Sequence, residues 1–157
     1  MTSYLLDTLK NRFPEAVLET HAFRGDETAV VKKEALLEAA AFLKQELGFD
    51  MLMDLTTVDY LPREPRFELV CHFYSTTHNY RLRLKCPVEA HDAAVDSLTP
   101  LWAGANWFER EVYDMFGIKF NGHPDLRRIL MYDGFEGYPL RKDYPLRKRQ
   151  PRMLHKD

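Results

Sequence analysis

The side chains that could take part in chemistry are concentrated between residues 105 and 146. Three carboxylates and one histidine in this stretch are residue types that transfer protons or ligate metals: Glu109, Glu111, Asp114 and His123. No second histidine stands at ligand spacing, however, and a helix through residues 109–114 would direct the three carboxylates to different faces. The pattern therefore argues against an acid/base or metal site.

The remaining reactive side chains are isolated. Two cysteines, Cys71 and Cys86, are too few for a disulfide framework or a four-cysteine cluster, and both fall in strand-like segments where buried thiols are common. No glycine-rich nucleotide loop follows a predicted strand. We therefore predict that the chain itself holds no NADH, flavin, iron–sulfur cluster or metal. Five histidines are interpreted as surface or core residues: His21, His72, His78, His91 and His155.

Length and charge indicate one domain with an appendage. The chain has 157 residues, of which 45% are hydrophobic, enough for one buried core. Its net charge is −2, but residues 119–157 carry ten Lys and Arg against five Asp and Glu, or +5, so residues 1–118 carry −7. A basic tail follows an acidic body.

Membrane insertion is not predicted. No segment approaches the roughly 20 apolar residues that a bilayer span needs, and the N-terminal segment lacks a signal-peptide pattern because Asp7 and Glu15 interrupt it. We expect a soluble chain that reaches a membrane only through partners.

Alternating and helical apolar patterns predict the elements that position these residues. The clearest helix spans Glu34–Leu47, and a helix from Asn106, with Asn106 and Glu109 as a capping box, ends at Gly117. The fold class is predicted as α+β, a mixed or antiparallel sheet with helices packed on one face over residues 1–118. The other predicted elements are strands at Val17–Ala22, Glu27–Val31, Met51–Tyr60, Phe67–Tyr74 and Tyr80–Cys86, and helices at Tyr4–Asn11 and Ala90–Leu101.

Residues 119–157 have a different character. Glycine and proline recur too often for long regular elements, yet leucines and aromatic residues persist that a disordered tail would lack. We expect an extended tail that docks on another protein.

Two blocks of this region together resemble a known family. The first contains Glu109-Arg110-Glu111, then Asp114, Met115-Phe116, His123 and Arg127, and the second is the proline-bounded basic run at residues 139–145. In this order and spacing they resemble the family formed by the C subunits of NADH-quinone oxidoreductase, respiratory complex I. The N-terminal 118 residues carry no motif that names the family.

The resemblance implies a cofactor-free structural subunit of the hydrophilic arm of a proton-pumping complex. FMN, iron–sulfur clusters and quinone would be held by other subunits. The expected partners are the large quinone-site subunit, of the D type, and neighbouring iron–sulfur subunits. The expected location is peripheral, on the cytoplasmic side of the bacterial inner membrane, and no residue of this chain is expected to be catalytic.

Charged and aromatic residues in the two blocks are the predicted partner contacts. Arg110 and Asp114 lie four residues apart on one helix face, so they can pair with each other or with a partner. Guanidinium groups and aromatic rings supply charge recognition and contact area. The predicted partner-binding residues are Glu109, Arg110, Glu111, Asp114, His123, Pro124, Asp125, Arg127, Arg128, Tyr138, Arg141, Lys142, Asp143 and Tyr144.

Two alternatives remain open. The chain could be the equivalent subunit of a photosynthetic plastoquinone complex or of a membrane-bound hydrogenase, and the sequence discriminates only weakly among these. From another class, the mixture of cations and tyrosine at residues 140–152 is typical of single-strand nucleic-acid binders, although the acidic body would repel phosphates.

Overall fold

A computed structural model describes residues 4–151 and shows a five-stranded mixed sheet. The strand order is β1-β2-β5-β4-β3, with antiparallel pairs except for β2 and β5, which are parallel. The predicted α+β class is confirmed. The strands are β1 (Val17–Phe23), β2 (Asp26–Val31), β3 (Met51–Asp59), β4 (Phe67–Ser75) and β5 (Tyr80–Val88), and the helices are α1 (Tyr4–Arg12), α2 (Leu36–Gln45) and α3 (Ala105–Phe116).

One face of the sheet is apolar and forms the core. Along β4, Phe67, Leu69, Cys71 and Phe73 are buried, as side-chain alternation in a half-buried strand predicts. Three of the alternate side chains are half-buried, those of Glu68, His72 and Tyr74, and the fourth, Val70, is buried as well. Helix α2 adds its own buried residues to the same cluster. The other face keeps exposed side chains, among them Met51, Met53 and Val58.

The helix predicted over Ala90–Leu101 is wrong. Residues 90–92 form a single 3-10 turn, Ala94–Asp96 forms β6, and β6 pairs in parallel with β7 (Lys119–Asn121). The main-chain hydrogen bond from Ser97 N to Asn121 O extends this pairing, and Pro100 could not have continued a helix interior. The first three residues of the predicted tail are therefore paired with the body.

The start of α3 also differs from the prediction. The helix begins at Ala105 after Gly104, and no side-chain cap bond forms, so the capping box of Asn106 and Glu109 is wrong. Glu109 points into the core instead and meets the preceding loop. The predicted end is confirmed, because Gly117 adopts the left-handed conformation with φ 74°.

Candidate functional site

Residues 122–151 fold back on the body of the domain and are called the folded-back segment below. Buried polar side chains of the body, called fastening points, bind this segment. The first fastening point is Asp114. Its side chain is fully buried at the C-terminal end of α3. Oδ2 accepts hydrogen bonds from the consecutive amides of Ile129, Leu130 and Met131 at 3.0, 2.8 and 2.8 Å, and Arg128 donates to Oδ1 at 2.8 Å. Burial alone would raise the pKa of Asp114, but these donors outweigh it, so the pKa lies below its ordinary value. The carboxylate is ionised and holds the loop at residues 128–131.

A second fastening point joins the segment to the β3–β4 hairpin. Arg66, with a side chain only 8% exposed, makes paired hydrogen bonds to Asp59 at 2.9 and 2.7 Å and to Asp143 at 2.9 and 2.8 Å. The amide of Lys142 donates to Asp59 at 2.8 Å. Desolvation opposes ionisation of Asp59, yet its donors hold the pKa well below the usual range. A bidentate guanidinium between two carboxylates gives both charge compensation and a defined register.

A third contact involves the helix end at Gly117. A β-carbon added there would lie 2.5 Å from the ring of Tyr138 and 2.7 Å from the guanidinium of Arg141. Arg141 Nε donates to Phe116 O, and its guanidinium lies over the Tyr138 ring at 4.7 Å. Glycine is therefore required for two reasons, the positive φ and the close approach of the segment.

Glu109 is buried nearer the other end of α3. It accepts hydrogen bonds from Ser97 Oγ at 2.7 Å and from the amide of Leu98 at 2.6 Å. Burial raises the pKa of Glu109 to about 7, and the two hydrogen bonds only partly offset that effect. This carboxyl group holds the loop that follows β6.

The turn at His123 is held locally. His123 Nδ1 accepts from the amide of Asp125 at 3.0 Å, and its Nε2 lies 3.2 Å from Asn106 O, an arrangement that fits the Nε2–H tautomer. Pro124 is exposed between them. Arg127 makes a bidentate pair with Asp125 on the surface, with its closest approach at 2.6 Å.

The predicted partner-binding residues thus divide by environment. Arg110 and Asp114 do not pair, since Asp114 binds Arg128 and Arg110 donates to the carbonyls of Arg127 and Arg128. Glu109 and Asp114 are buried within the chain's own fold. The half-buried members are Arg110, His123, Asp125, Arg128, Tyr138, Arg141 and Tyr144, and the exposed members are Glu111, Pro124, Arg127, Lys142 and Asp143. Contact of any of them with a partner stays a prediction.

Sequence reasoning missed several residues of this region. Trp107, Leu130 and Leu140 are 60%, 56% and 56% exposed, and Leu146 is 99% exposed. The leucines were visible as apolar residues in a segment poor in regular structure, but nothing in the sequence marked which side of α3 Trp107 occupies. The link between Arg66 and the folded-back segment could not have been found, because Asp143 is 77 residues away in sequence.

Residues 4–151 hold neither a clustered metal-ligand set nor a membrane-length helix. Within this range, no three His, Cys, Asp or Glu side chains gather closely enough to hold a metal ion. None of the helices in the same range combines the length and apolar character that crossing a bilayer requires. The predicted tail continues to residue 157, and residues 152–157, including His155, lie outside the described residues.

The fold and site define a class of protein, an α+β domain whose basic C-terminal segment is fastened to its own body by buried carboxylates. A family model described as the 30 Kd subunit of respiratory-chain NADH dehydrogenase matches residues 29–150. The chain belongs to this family.

Curated relatives carry a consistent name. The chain is 48% identical over 138 residues to the C subunit of NADH-quinone oxidoreductase from Geotalea uraniireducens, covering 88% of this chain and 84% of that protein. It is 51% identical over 144 residues to the C subunit from a Roseiflexus species, covering 90% and 83%. The resemblance to the C subunits of this enzyme is therefore confirmed.

Solved structures share the fold. A trypsin-resistant fragment (1-134) of a chain called Nqo5 has a TM-score of 0.68 at 34% identity, covering 78% of this chain and 96% of that one. A chain of an archaeal membrane-bound sulfane sulfur reductase has a TM-score of 0.77 at 24% identity, covering 90% and 84%. The second likeness concerns the fold alone.

Proposed function

We propose that this chain is the non-catalytic, cofactor-free C subunit of a proton-pumping NADH-quinone oxidoreductase, where it docks on the large quinone-site subunit. Family membership supports the assignment to the enzyme complex. The observation that carries the docking role is the folded-back segment, which ion pairs with the buried side chains of Asp114 and Arg66 hold against the body. Three of its leucines remain exposed: Leu130, Leu140 and Leu146.

A pre-ordered segment binds at lower entropic cost than a disordered one. Side chains and loops that become ordered on association subtract from the binding free energy. Here the Asp114 and Arg66 contacts have already ordered residues 128–131 and 140–143. The exposed side chains of Leu130, Leu140 and Trp107 are then available as the apolar centre of an interface.

The charged residues of the segment, and those of the body that lie around it, are suited to recognition rather than chemistry. Arg66, Arg128 and Arg141 are engaged with carboxylates, carbonyls or rings of the chain itself. Glu111 and Lys142 face solvent and can set register with a partner. FMN, iron–sulfur clusters and quinone belong to other subunits in this proposal, and the chain reaches the cytoplasmic side of the cell membrane only through its partners.

The test is affinity capture of the tagged full-length chain from gently solubilised membranes. The full chain should recover a large NADH-oxidising, quinone-reducing complex that contains the quinone-site subunit. The double variant Leu130→Ser and Leu140→Ser should recover at least about tenfold less, because burial of one leucine side chain contributes about 1.5–3 kcal/mol.

The matched control is Leu18→Ser on β1, where the leucine is 54% exposed but lies outside the segment. It should recover the complex as the wild type does. If the double variant recovers as much of the complex as the wild type does, the proposed docking role of the segment is refuted. Recovery of RNA, or of no quinone-reducing complex by the wild type, would refute the proposed function.

A further inference from the structure

A cleft between α3 and the folded-back segment has three guanidinium groups in its wall. Its volume is about 370 Å³, and among the described residues one carboxylate, that of Asp133, lines it together with the cations. The lining residues are Arg110, Tyr113, Leu126, Arg127, Arg128 and Asp133.

The three cations differ in how their charge is compensated. Arg128 pairs with Asp114, and Arg127 pairs with Asp125. Arg110 forms no ion pair with a carboxylate of residues 4–151: it donates through Nε to Arg127 O at 3.1 Å and through Nη2 to Arg128 O at 3.3 Å. The hydrogen bonds from Arg127 are the main reason that the pKa of Asp125 is lowered, and the charge of Arg110 adds a smaller contribution.

Donor groups remain available for an incoming ligand. Arg110 uses Nε and Nη2, so its Nη1 group has no partner among the described residues. Arg127 likewise uses Nε and Nη2 with Asp125, and its side chain is 75% exposed. Two guanidinium groups with free N–H donors can bind one carboxylate with charge-assisted hydrogen bonds.

One exposed apolar side chain lies beside a cleft residue, and a second follows the cleft residues in sequence. Trp107, 60% exposed, lies beside Arg110 with the guanidinium 5.2 Å from its ring centroid. Leu130, 56% exposed, follows Arg128 and Ile129 in the loop held by Asp114. A cationic pocket next to exposed apolar side chains fits an acidic side chain whose neighbours in sequence are apolar.

We propose that this cleft receives an aspartate or glutamate of the partner subunit, presented by a segment with apolar residues on either side. The inference rests on the proposed docking function and adds the chemistry of the partner. A phosphate group fits less well, because Asp133 lines the cleft and Asp125 lies beside Arg127, and both would repel a doubly charged anion.

The test uses zero-length carbodiimide coupling in the assembled complex. This reagent joins an amine to a carboxylate in direct contact and does not couple a guanidinium. The full-length Arg110→Lys variant retains the positive charge and introduces an amine into the cleft. After capture and coupling, mass spectrometry should find the peptide containing position 110 joined to an Asp or Glu of the quinone-site subunit or its neighbour.

The matched control is Arg24→Lys, at the turn between β1 and β2. It introduces the same amine outside the cleft and should give no coupling to that acidic residue. In addition, Arg110→Gln should lower recovery of the complex at least about tenfold, whereas Arg24→Gln should not.

The outcomes separate this inference from the proposed function. Failure of the wild type to capture a quinone-reducing complex would refute the function itself. Capture with coupling only to Asp125 or Asp133 of the same chain would overturn the cleft proposal and leave the function standing. If Arg110→Lys folds but is not incorporated into the complex, Arg127→Lys provides the same measurement. If neither variant couples to another subunit, the cleft proposal is overturned.

Discussion

The two halves of α3 each bury a carboxylate, and the two carboxylates behave in opposite ways. Glu109, nearer the N-terminal end, and Asp114, near the C-terminal end, both have fully buried side chains. The pKa of Glu109 is raised to about 7, whereas that of Asp114 is lowered. Desolvation is the largest influence on both, so burial alone does not explain the difference.

The difference lies in the donors. Glu109 receives one hydroxyl and one amide, whereas Asp114 receives three amides and a guanidinium. Two neutral donors do not compensate for a buried negative charge, but four donors including a cation do. Asp114 is therefore a charged fastening point for the folded-back segment. Glu109 is instead a carboxyl group that gains or loses its proton near neutral pH.

The largest effect is expected from Asp114→Asn. The substitution removes the charge opposite Arg128 and directs amide hydrogens toward the three main-chain donors, so it should lower the free energy of unfolding by roughly 3–5 kcal/mol. Urea unfolding measures the loss. Amide hydrogen exchange at residues 129–131 should accelerate, because these amides lose their acceptor.

The matched control is Asp125→Asn. Asp125 also pairs with an arginine, but the pair with Arg127 lies on the surface. We expect little change in stability. If the two substitutions were equally harmful, the difference between a buried and an exposed carboxylate would not account for the role of Asp114.

The next effect is a pH dependence from Glu109. Because its folded-state pKa of about 7 lies above the ordinary value of 4.5, its stabilising contribution is complete below pH 4.5 and is lost as the pH rises through 7. The full loss is at most roughly 3–4 kcal/mol. The carboxyl groups of Asp59 and Asp114 contribute a slope of the opposite sign, mainly below about pH 5, because their folded-state pKa values lie below the ordinary 3.8.

The measurement is the difference between the wild type and Glu109→Gln in unfolding free energy from pH 4 to pH 8. The difference is needed because burial and the charge of Arg83 lower the pKa of His72 below its ordinary 6.5, which gives a slope of opposite sign at and below that pH. Glutamine can accept from Leu98 and stays neutral. Parallel pH curves for the two proteins would contradict a raised pKa at Glu109.

The contrast within α3 shows what the sequence could and could not predict. Alternation in β4 and β5 and the stop at Gly117 were legible because they depend on local periodicity and one glycine. The environments of Glu109 and Asp114 could not be predicted, because their hydrogen-bond donors come from residues 97–98 and 128–131. No local sequence pattern specifies which loops pack against a helix. The helix predicted at residues 90–101 failed for the same reason, since β6 depends on its partner β7.

A smaller effect should separate conformation from contact at the helix end. Gly117 and Gly122 both have positive φ, 74° and 77°, but only Gly117 would place a β-carbon against Tyr138 and Arg141. Alanine at either position should cost roughly 1–2 kcal/mol for the left-handed conformation. Gly117→Ala should lose more and should also increase protease cleavage within residues 138–151. Equal losses of unfolding free energy for Gly117→Ala and Gly122→Ala would show that Tyr138 and Arg141 do not pack tightly against the helix end.

The smallest effect is expected at Glu111, which is the third carboxylate on α3 besides Glu109 and Asp114. Its side chain is exposed, between the positions of Glu109 and Asp114 in sequence. Glu111→Gln should change the free energy of unfolding by no more than about 0.5 kcal/mol, because solvent compensates its charge in both states. Urea unfolding of the isolated chain and capture of the assembled complex should be compared for this variant. A loss in capture without a loss in stability would place Glu111 at the interface, whereas a loss of stability comparable with that of Asp114→Asn would mean that exposure does not distinguish the three carboxylates.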